Sequence, residues 1–326
     1  MAIFLQKICA LLLVLLFCCE MANARDLYTI GAEDSSTSDD IDLTTFEISY
    51  INNQREHLWP YNESADSDWD FGFALHRYNG KANGTDFTGY QLEAVLGWRY
   101  SSSTYFGGKI GDHNLDVQSL DQQEDRTTYD FSALVGLADS FSINLGAADD
   151  YVYQFGLQPA GAREFLHAER WQAGFELRPI ETVRVIGSGS LWELSDANNR
   201  HEGSIKMIYG ISPGWPWIWA GVSYEQLGYD VKKPDYWTPE KFRSLGFEFE
   251  SSFPLTENIS GALSASISRI KEDNFPEGNG DSIFAGIDYK VIDDLTLRVG
   301  ASRIHSKQES SSWSEEAYRL SLNGSF

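Results

Sequence analysis

Side chains alternate between apolar and polar or small with a period of two along most of the chain, and no other property narrows its fold as far. In the stretch 87–100, Tyr90, Leu92, Ala94, Leu96 and Trp98 fall on one face, with Gln91, Glu93, Gly97 and Arg99 on the other. Between Asn258 and Arg269, Ile259, Gly261, Leu263, Ala265 and Ile267 oppose Ser260, Ser264, Ser266 and Ser268. Asp281 to Lys290 and Leu295 to Ser302 repeat the pattern. A period of two is strand geometry, because successive side chains leave a strand on opposite faces. The chain is therefore all-β, with one apolar face per strand.

That face can turn inward, as in a soluble sandwich, or outward, toward lipid. The connections favour lipid. Short turns at Ala138–Ser140, Pro179–Thr182, Pro213–Gly214, Pro254–Glu257 and Ile292–Asp294 alternate with longer polar segments. The longer ones are predicted at His113–Arg126, Gln154–Glu164, Glu193–His201, Asp230–Lys241, Ile270–Gly280 and Ser306–Ser312. An up-and-down barrel in an outer membrane needs that rhythm, with its short turns on the periplasmic side. A Greek-key sandwich has no reason to keep it. Aromatic residues make up 14% of the chain, including 16 Tyr and 10 Trp, and a barrel uses them as girdles at the two lipid–water interfaces. Trp215, Trp217 and Trp219 are expected to anchor at the periplasmic rim in this way.

The N-terminus reads as a cleavable signal peptide over residues 1–24: Lys7, an apolar run from Ile8 to Phe17, then Ala22-Asn23-Ala24. The run is too short for a spanning helix, which needs ~20 residues. All three cysteines lie inside this segment, so a mature chain beginning at Arg25 has no disulfide and no thiolate. The net charge of −23 persists, because Lys7 and Glu20 leave together, and it argues against nucleic acid as a partner. The expected location is the bacterial outer membrane.

Fifteen strands can be placed back from the C-terminus, near 314–326, 294–306, 281–291, 258–271, 242–253, 216–228, 200–212, 182–195, 165–178, 141–153, 126–139, 103–113, 86–100, 68–79 and 42–53. Bacterial single-chain barrels have even strand numbers, so a weaker strand at Asp26–Ile30 predicts sixteen. Fourteen is the alternative, because Gln54–Asp68 is long for a periplasmic turn. On the last strand Tyr318, Leu320, Leu322 and Phe326 share a face, which resembles the C-terminal signal read by the outer-membrane assembly machinery. Gly324 departs from the bulkier residue usual there.

The string Pro234-Asp235-Tyr236-Trp237-Thr238-Pro239-Glu240-Lys241-Phe242 is the most distinctive feature outside the strands. Its Tyr236, Trp237, Pro239 and Phe242 resemble the aromatic–proline element in the barrels of exopolysaccharide export proteins. These are the poly-N-acetylglucosamine export porin and the C-terminal barrel of the cellulose export protein. The resemblance covers this motif, the strand after it and the C-terminal third. It implies a sixteen-stranded barrel that exports a glycan. Those proteins carry a tetratricopeptide scaffold before the barrel and this chain has none, which implies a separate periplasmic scaffold protein or none at all. Read without the resemblance, the motif is a proline-stiffened loop with interface aromatics.

Parity places Glu47, Glu93, Asp130, Glu176, Glu225, Glu248, Glu250 and Asp288 in the lumen. Arg99, Arg170, Arg184, Lys206, Arg298 and Arg319 accompany them. A mixed but net acidic set suits a neutral or partly cationic glycan, since rings of charge select by direct Coulomb attraction. A general diffusion porin is an alternative. So is a closed structural or interaction barrel acting through acidic loops, its lumen filled by side chains or by the 230–241 loop. Pairing of Glu248 and Glu250 with Arg298 and Arg184 would favour the closed form.

No enzymatic activity is expected. The six histidines form no His-x-x-x-His or Ser-x-x-His pattern, and most are placed at strand ends or loops, in solvent. Asp66, Asp68 and Asp70 imitate the start of a calcium loop, but Phe71 stands where glycine is needed. Neither cofactor nor metal is predicted. The expected partners are outer-membrane lipid, lipopolysaccharide, the assembly machinery and a secreted glycan, with the barrel a monomer.

Overall fold

The computed structural model describes residues 27–38, 41–52, 69–82, 84–118, 121–155, 165–234, 236–307 and 312–325. The signal peptide, the Gln54–Asp68 segment and Phe326 of the assembly signal lie outside them. Sixteen antiparallel strands close into one barrel among the described residues. They are β1 (Leu27–Thr37), β2 (Ile41–Ile51), β3 (Trp69–Ala82), β4 (Thr85–Ser101), β5 (Thr104–Val117), β6 (Gln122–Ala138), β7 (Phe141–Tyr151) and β8 (His167–Ile180). The second half comprises β9 (Val183–Leu194), β10 (Asn199–Ser212), β11 (Trp217–Tyr229), β12 (Phe242–Pro254), β13 (Ile259–Glu272), β14 (Gly278–Ile292), β15 (Leu295–Lys307) and β16 (Ser312–Ser325). Each strand pairs with its sequence neighbours, and β1 pairs with β16 from Leu27↔Ser325 to Thr37↔Glu315. Closure leaves no edge, so every strand has partners for its backbone N–H and C=O groups.

The large apolar side chains point outward. Leu92, Leu191 and Ile267 are each about 60% exposed or more, while the adjacent Gln91, Glu93, Ser190, Ser266 and Ser268 are polar. Around the seam Ile30 and Leu322 are buried against Ile48, Leu295 and Leu297 on this outer face. On the inner face Arg319 reaches Glu33 at 2.6 Å across the same seam. Tyr318 and Leu320 share the outward parity of Leu322.

Toward the end carrying the β7–β8 and β11–β12 connections, the two faces exchange character. On β3, Phe73 and Leu75 face outward, but the next residues of that parity are Arg77, Asn79 and Lys81, and Tyr78 turns inward with 4% exposure. On β5, Ile110 is outward and exposed, followed by Asp112, Asn114 and Asp116, while Leu115 and Val117 are wholly buried inside. The cause is the surrounding medium. Within the bilayer, lipid accepts apolar side chains. Beyond it the outside is water, and the barrel interior is the remaining place to bury apolar surface.

This exchange corrects several expectations. The segment His113–Arg126 is not a loop: β5 continues to Val117 and β6 starts at Gln122. The expected long segments at 193–201, 270–280 and 306–312 likewise shrink to short turns, leaving 152–166 and 230–241 as the long outer connections. The first strand is longer than Asp26–Ile30, running to Thr37. Trp217 and Trp219 do not anchor at an interface. They share the inward parity of β11, and Trp219 lies under Arg184, whose guanidinium carbon is 5.6 Å from the ring centre. Trp215 alone of the three is exposed outside a strand, at 58%.

The exchange of faces predicts a position-dependent cost on β4. Leu96→Arg, in the apolar band, should destabilise the barrel by about 2–4 kcal/mol. Asp86→Arg shares its parity but lies beyond the band and should cost about 0–1 kcal/mol. Urea unfolding from lipid vesicles checks both, and equal costs would contradict the assigned band.

Candidate functional site

The interior has two kinds of wall. Along the middle of β13–β15 it is uncharged, with Ser266 facing Ser282, Ser268 facing Gly280 and Gly286 facing Gly300 through the strand registers, and toward the inner end Ser260 meets Asp288. Phe284 is the large exception. Its ring lies across two glycines, so closely that a Cβ at Gly286 or Gly300 would sit 2.9 Å from ring carbons.

The rest of the interior carries paired charges. Glu176 accepts from Arg178 at 2.6 Å and Arg184 at 2.9 Å. Asp288 takes both arms of Arg298, at 2.8 and 2.9 Å. Glu248 and Glu250 share the ammonium of Lys206, and neither pairs with Arg298 or Arg184. Glu225 stands in register with Ser204 and Ser244. Glu47 stands in register with Gly31 and His76, and Arg99 with Tyr105. Glu93 has His76 at 3.3 Å and Lys109 at 3.6 Å, while Asp130 is the register partner of Lys109. Individual pairs of this type in contact with water contribute about 0–1 kcal/mol each. Their effect is to cancel the lumen's charge locally, strand by strand. Asp70, from the calcium-like string, instead accepts from the Tyr105 hydroxyl at 3.1 Å.

The outer end is filled on one side by an inward turn. After β7 a short 3-10 segment, Val152–Phe155, brings Tyr151, Val152 and Tyr153 against the inner wall. Tyr151 and Tyr153 pack with Ile41, Tyr78, Phe87, Leu115 and Val117. Val152 packs with Leu166, Ala168, Trp192, Leu194 and Tyr229. Against the first cluster, beside Tyr78, Tyr151 and Tyr153, is His113, with 0% exposure. A carboxylate only accepts, so His113 Nδ1 carries the proton and donates to Asp150 at 2.7 Å, with the Tyr153 hydroxyl on Nε2. Asp150 is held further by Gln91 Nε2 at 2.8 Å and by the Tyr151 amide at 2.7 Å; Gln91 in turn accepts from Tyr78 at 3.0 Å. Gly89 makes the approach feasible, because a Cβ there would lie 2.6 Å from the Tyr153 oxygen.

The placement of His113 and His76 corrects the expectation of solvated histidines at strand ends and loops. His113 lies inside β5 and His76 inside β3, facing the lumen. A signal was available in the string from Gly111 to Val117. Its parity continues the inward row of β5 while the other row turns to Asp112, Asn114 and Asp116. Tyr153 had no such signal, since its approach to His113 depends on the turn after β7, whereas Asp150 continues the inward row of β7.

The loop between β11 and β12 is pinned to the rim by its motif. Tyr236 packs on the second apolar cluster, donates to Asp196 at 3.0 Å and accepts from Asn198 at 3.2 Å. Burial, reinforced by the Asp196 carboxylate, pushes the Tyr236 hydroxyl above its usual pKa. Trp237 lies edge-on to Phe242, with ring centres 5.3 Å apart, and donates to Glu272 at 3.2 Å. Pro239 accepts from the Tyr229 amide at 2.9 Å. Asn198, wholly buried, acts like a strand edge: its amide accepts from Val231 N at 3.0 Å and donates to Val231 O at 2.9 Å. Lys232 reaches Asp273 in the next turn at 2.6 Å. Burial opposes the charged form of Asp273, but the Lys232 ammonium and the Lys241 amide win and hold its pKa below the usual 3.8.

Two outcomes are expected for this loop. Asn198→Ala orphans both polar groups of Val231, at about 1–3 kcal/mol, and should speed amide exchange across residues 231–241 without unfolding the barrel. A depressed carboxylate contributes stability that is complete above its unfolded pKa and is lost as pH falls through the folded value. The Lys232–Asp273 tie should therefore persist at pH 5 and release only below pH 3.8, read from exchange rates across the same residues.

The barrel is similar to a bacterial polysaccharide outer membrane secretin, with a TM-score of 0.75 at 12% identity, over 94% of this chain and 100% of that one. It is less similar to CdiB from Acinetobacter baumannii, with a TM-score of 0.54 at 8% identity over 92% of this chain. The match spans 61% of the CdiB chain. No family model matches the sequence, and no curated protein matches it. At such identities the shared property is the fold, that of a closed sixteen-stranded barrel like the polysaccharide secretin's.

Proposed function

We propose that this chain is an outer-membrane pore through which a neutral or partly cationic polysaccharide leaves the cell, narrowed at its outer end in the conformation described. The fold it shares over 94% of its length with a polysaccharide secretin supports a conduit. The observation that carries the reading is the interior below the apolar clusters. The middle of β13–β15 is serine and glycine, and many charges elsewhere are neutralised in place by a partner on the same or a nearby strand. A polymer rich in hydroxyls can slide along such a surface, exchanging one hydrogen bond for another, without a strong charge to arrest it. A pore selecting small ions would instead keep a ring of one sign.

One observation favours a second reading. The turn from Asp150 to Tyr153 is buried as deeply as a protein core, which is the property of a barrel that stays closed and acts through its loops. The two readings differ in whether the turn can leave. Part of its polar hold on the wall passes through His113, which meets both Asp150 and Tyr153, so His113→Ala and Tyr153→Phe test the matter. In planar bilayers both variants should conduct at least severalfold more than the wild type, and neutral oligosaccharides should block the current. Variants that fold and remain silent would favour the closed, loop-driven barrel and remove the conduit.

A further inference from the structure

Directly beneath the inward turn, the wall of β3–β8 holds a polar recess of about 400 Å³, lined among others by His76, Gln91, Glu93, Lys109, Asp130 and Arg170. We propose that this recess is a saccharide-binding subsite, taking one or two uncharged, hydroxyl-rich pyranose units of a passing glycan. The inference rests on the conduit reading and adds to it a place where the chain is held.

Three properties distinguish the recess from the rest of the charged wall. The first is unused acceptor capacity. The carboxylates of Glu176 and Asp288 have cations at 2.6–2.9 Å, so their best acceptor positions are filled. Glu93 is met only at 3.3 and 3.6 Å, and half-buried Asp130 accepts no hydrogen bond among the described residues. A carboxylate drawn away from bulk water without close donors favours a ligand that brings them.

The second property is balance. Glu93 and Asp130 are matched by Lys109 and Arg170, while the charge of Asp150 at the ceiling is already met by His113, Gln91 and the Tyr151 amide. A free cation would be repelled by two of these groups and a free anion by the other two. A vicinal diol suits the arrangement, because each hydroxyl donates to a carboxylate and accepts from an ammonium or guanidinium at once. The volume lies within the range of about 300–1,000 Å³ usual for small-molecule sites.

The third property is position. Gln91 is both a wall of the recess and the donor that fixes Asp150, so an occupant would touch the network holding the turn inward. The recess is where the leading end of a chain meets the obstruction.

Titration calorimetry on the folded barrel in detergent tests this, with a panel of neutral tetrasaccharides of glucose, N-acetylglucosamine and mannose. Asp130→Asn and Glu93→Gln keep the shape and should each weaken the best-bound tetramer roughly tenfold or more. Asp112→Asn, on the outer face of β5, should leave binding unchanged. Equal affinity in all four proteins overturns the subsite, and so does the absence of saturable binding to folded wild type. Conductance of the same proteins, each with His113→Ala added, separates this failure from that of the conduit. A current blocked equally by tetramer in every variant would remove the recess and leave the conduit standing. The absence of current from any of them would remove the conduit.

Discussion

The hydrogen-bonding demand of the backbone in hydrocarbon governs this molecule. Each unpaired N–H or C=O in lipid costs several kcal/mol, so a chain that crosses as strands must bring its first strand to its last. The eleven-residue register between β1 and β16 is where that condition is met. Once the sheet closes, the side chains have no freedom of face. One parity must meet lipid and the other must meet whatever the barrel contains. The polar interior follows from closure as directly as the apolar exterior does.

The same logic explains why the outer end differs from the rest. Where the strands rise above the bilayer, the outward row changes to Arg77, Asn79, Lys81, Asp112, Asn114 and Asp116, and the inward row to Tyr78, Leu115 and Val117. An apolar lining facing an aqueous lumen would be unfavourable unless something covered it. The turn after β7 supplies the cover with Tyr151, Val152 and Tyr153. A soluble protein's core is thus built inside one end of a membrane barrel. The Tyr153 hydroxyl carried in with it meets His113, which in turn donates to Asp150 of β7, itself held by Gln91. Removing one partner there would leave the others buried and unmatched, so this small network has a large influence on whether the end stays filled.

Lower in the barrel the charges do the opposite of what their number suggests. A net charge of −23 on the chain invites the picture of a strongly negative channel. Several of the inward carboxylates have a lysine or arginine within hydrogen-bonding distance, commonly on the neighbouring strand. Much of the excess acid instead lies on the outward rows above the bilayer and in the turns, where water screens it.

The sequence by itself determined the strand class, the barrel and nearly every strand boundary, because the period of two and the turn residues are local properties. It also determined which parity of each strand faces inward, since one face was apolar wherever lipid would lie. It misplaced the ends of β5 and β6 and read Trp217 and Trp219 as interface anchors. Both errors have one source: the rule linking apolar to outward holds only at membrane depth, and depth is not written in a single strand. What only the tertiary structure decided is which groups meet. Glu248 and Glu250 share Lys206 rather than an arginine because of stagger between strands, and His113 meets Asp150 of β7, 37 residues away in sequence, and Tyr153 of the turn that folds inward after it. Contacts of that kind depend on closure and register, which exist only after the last strand has joined the first.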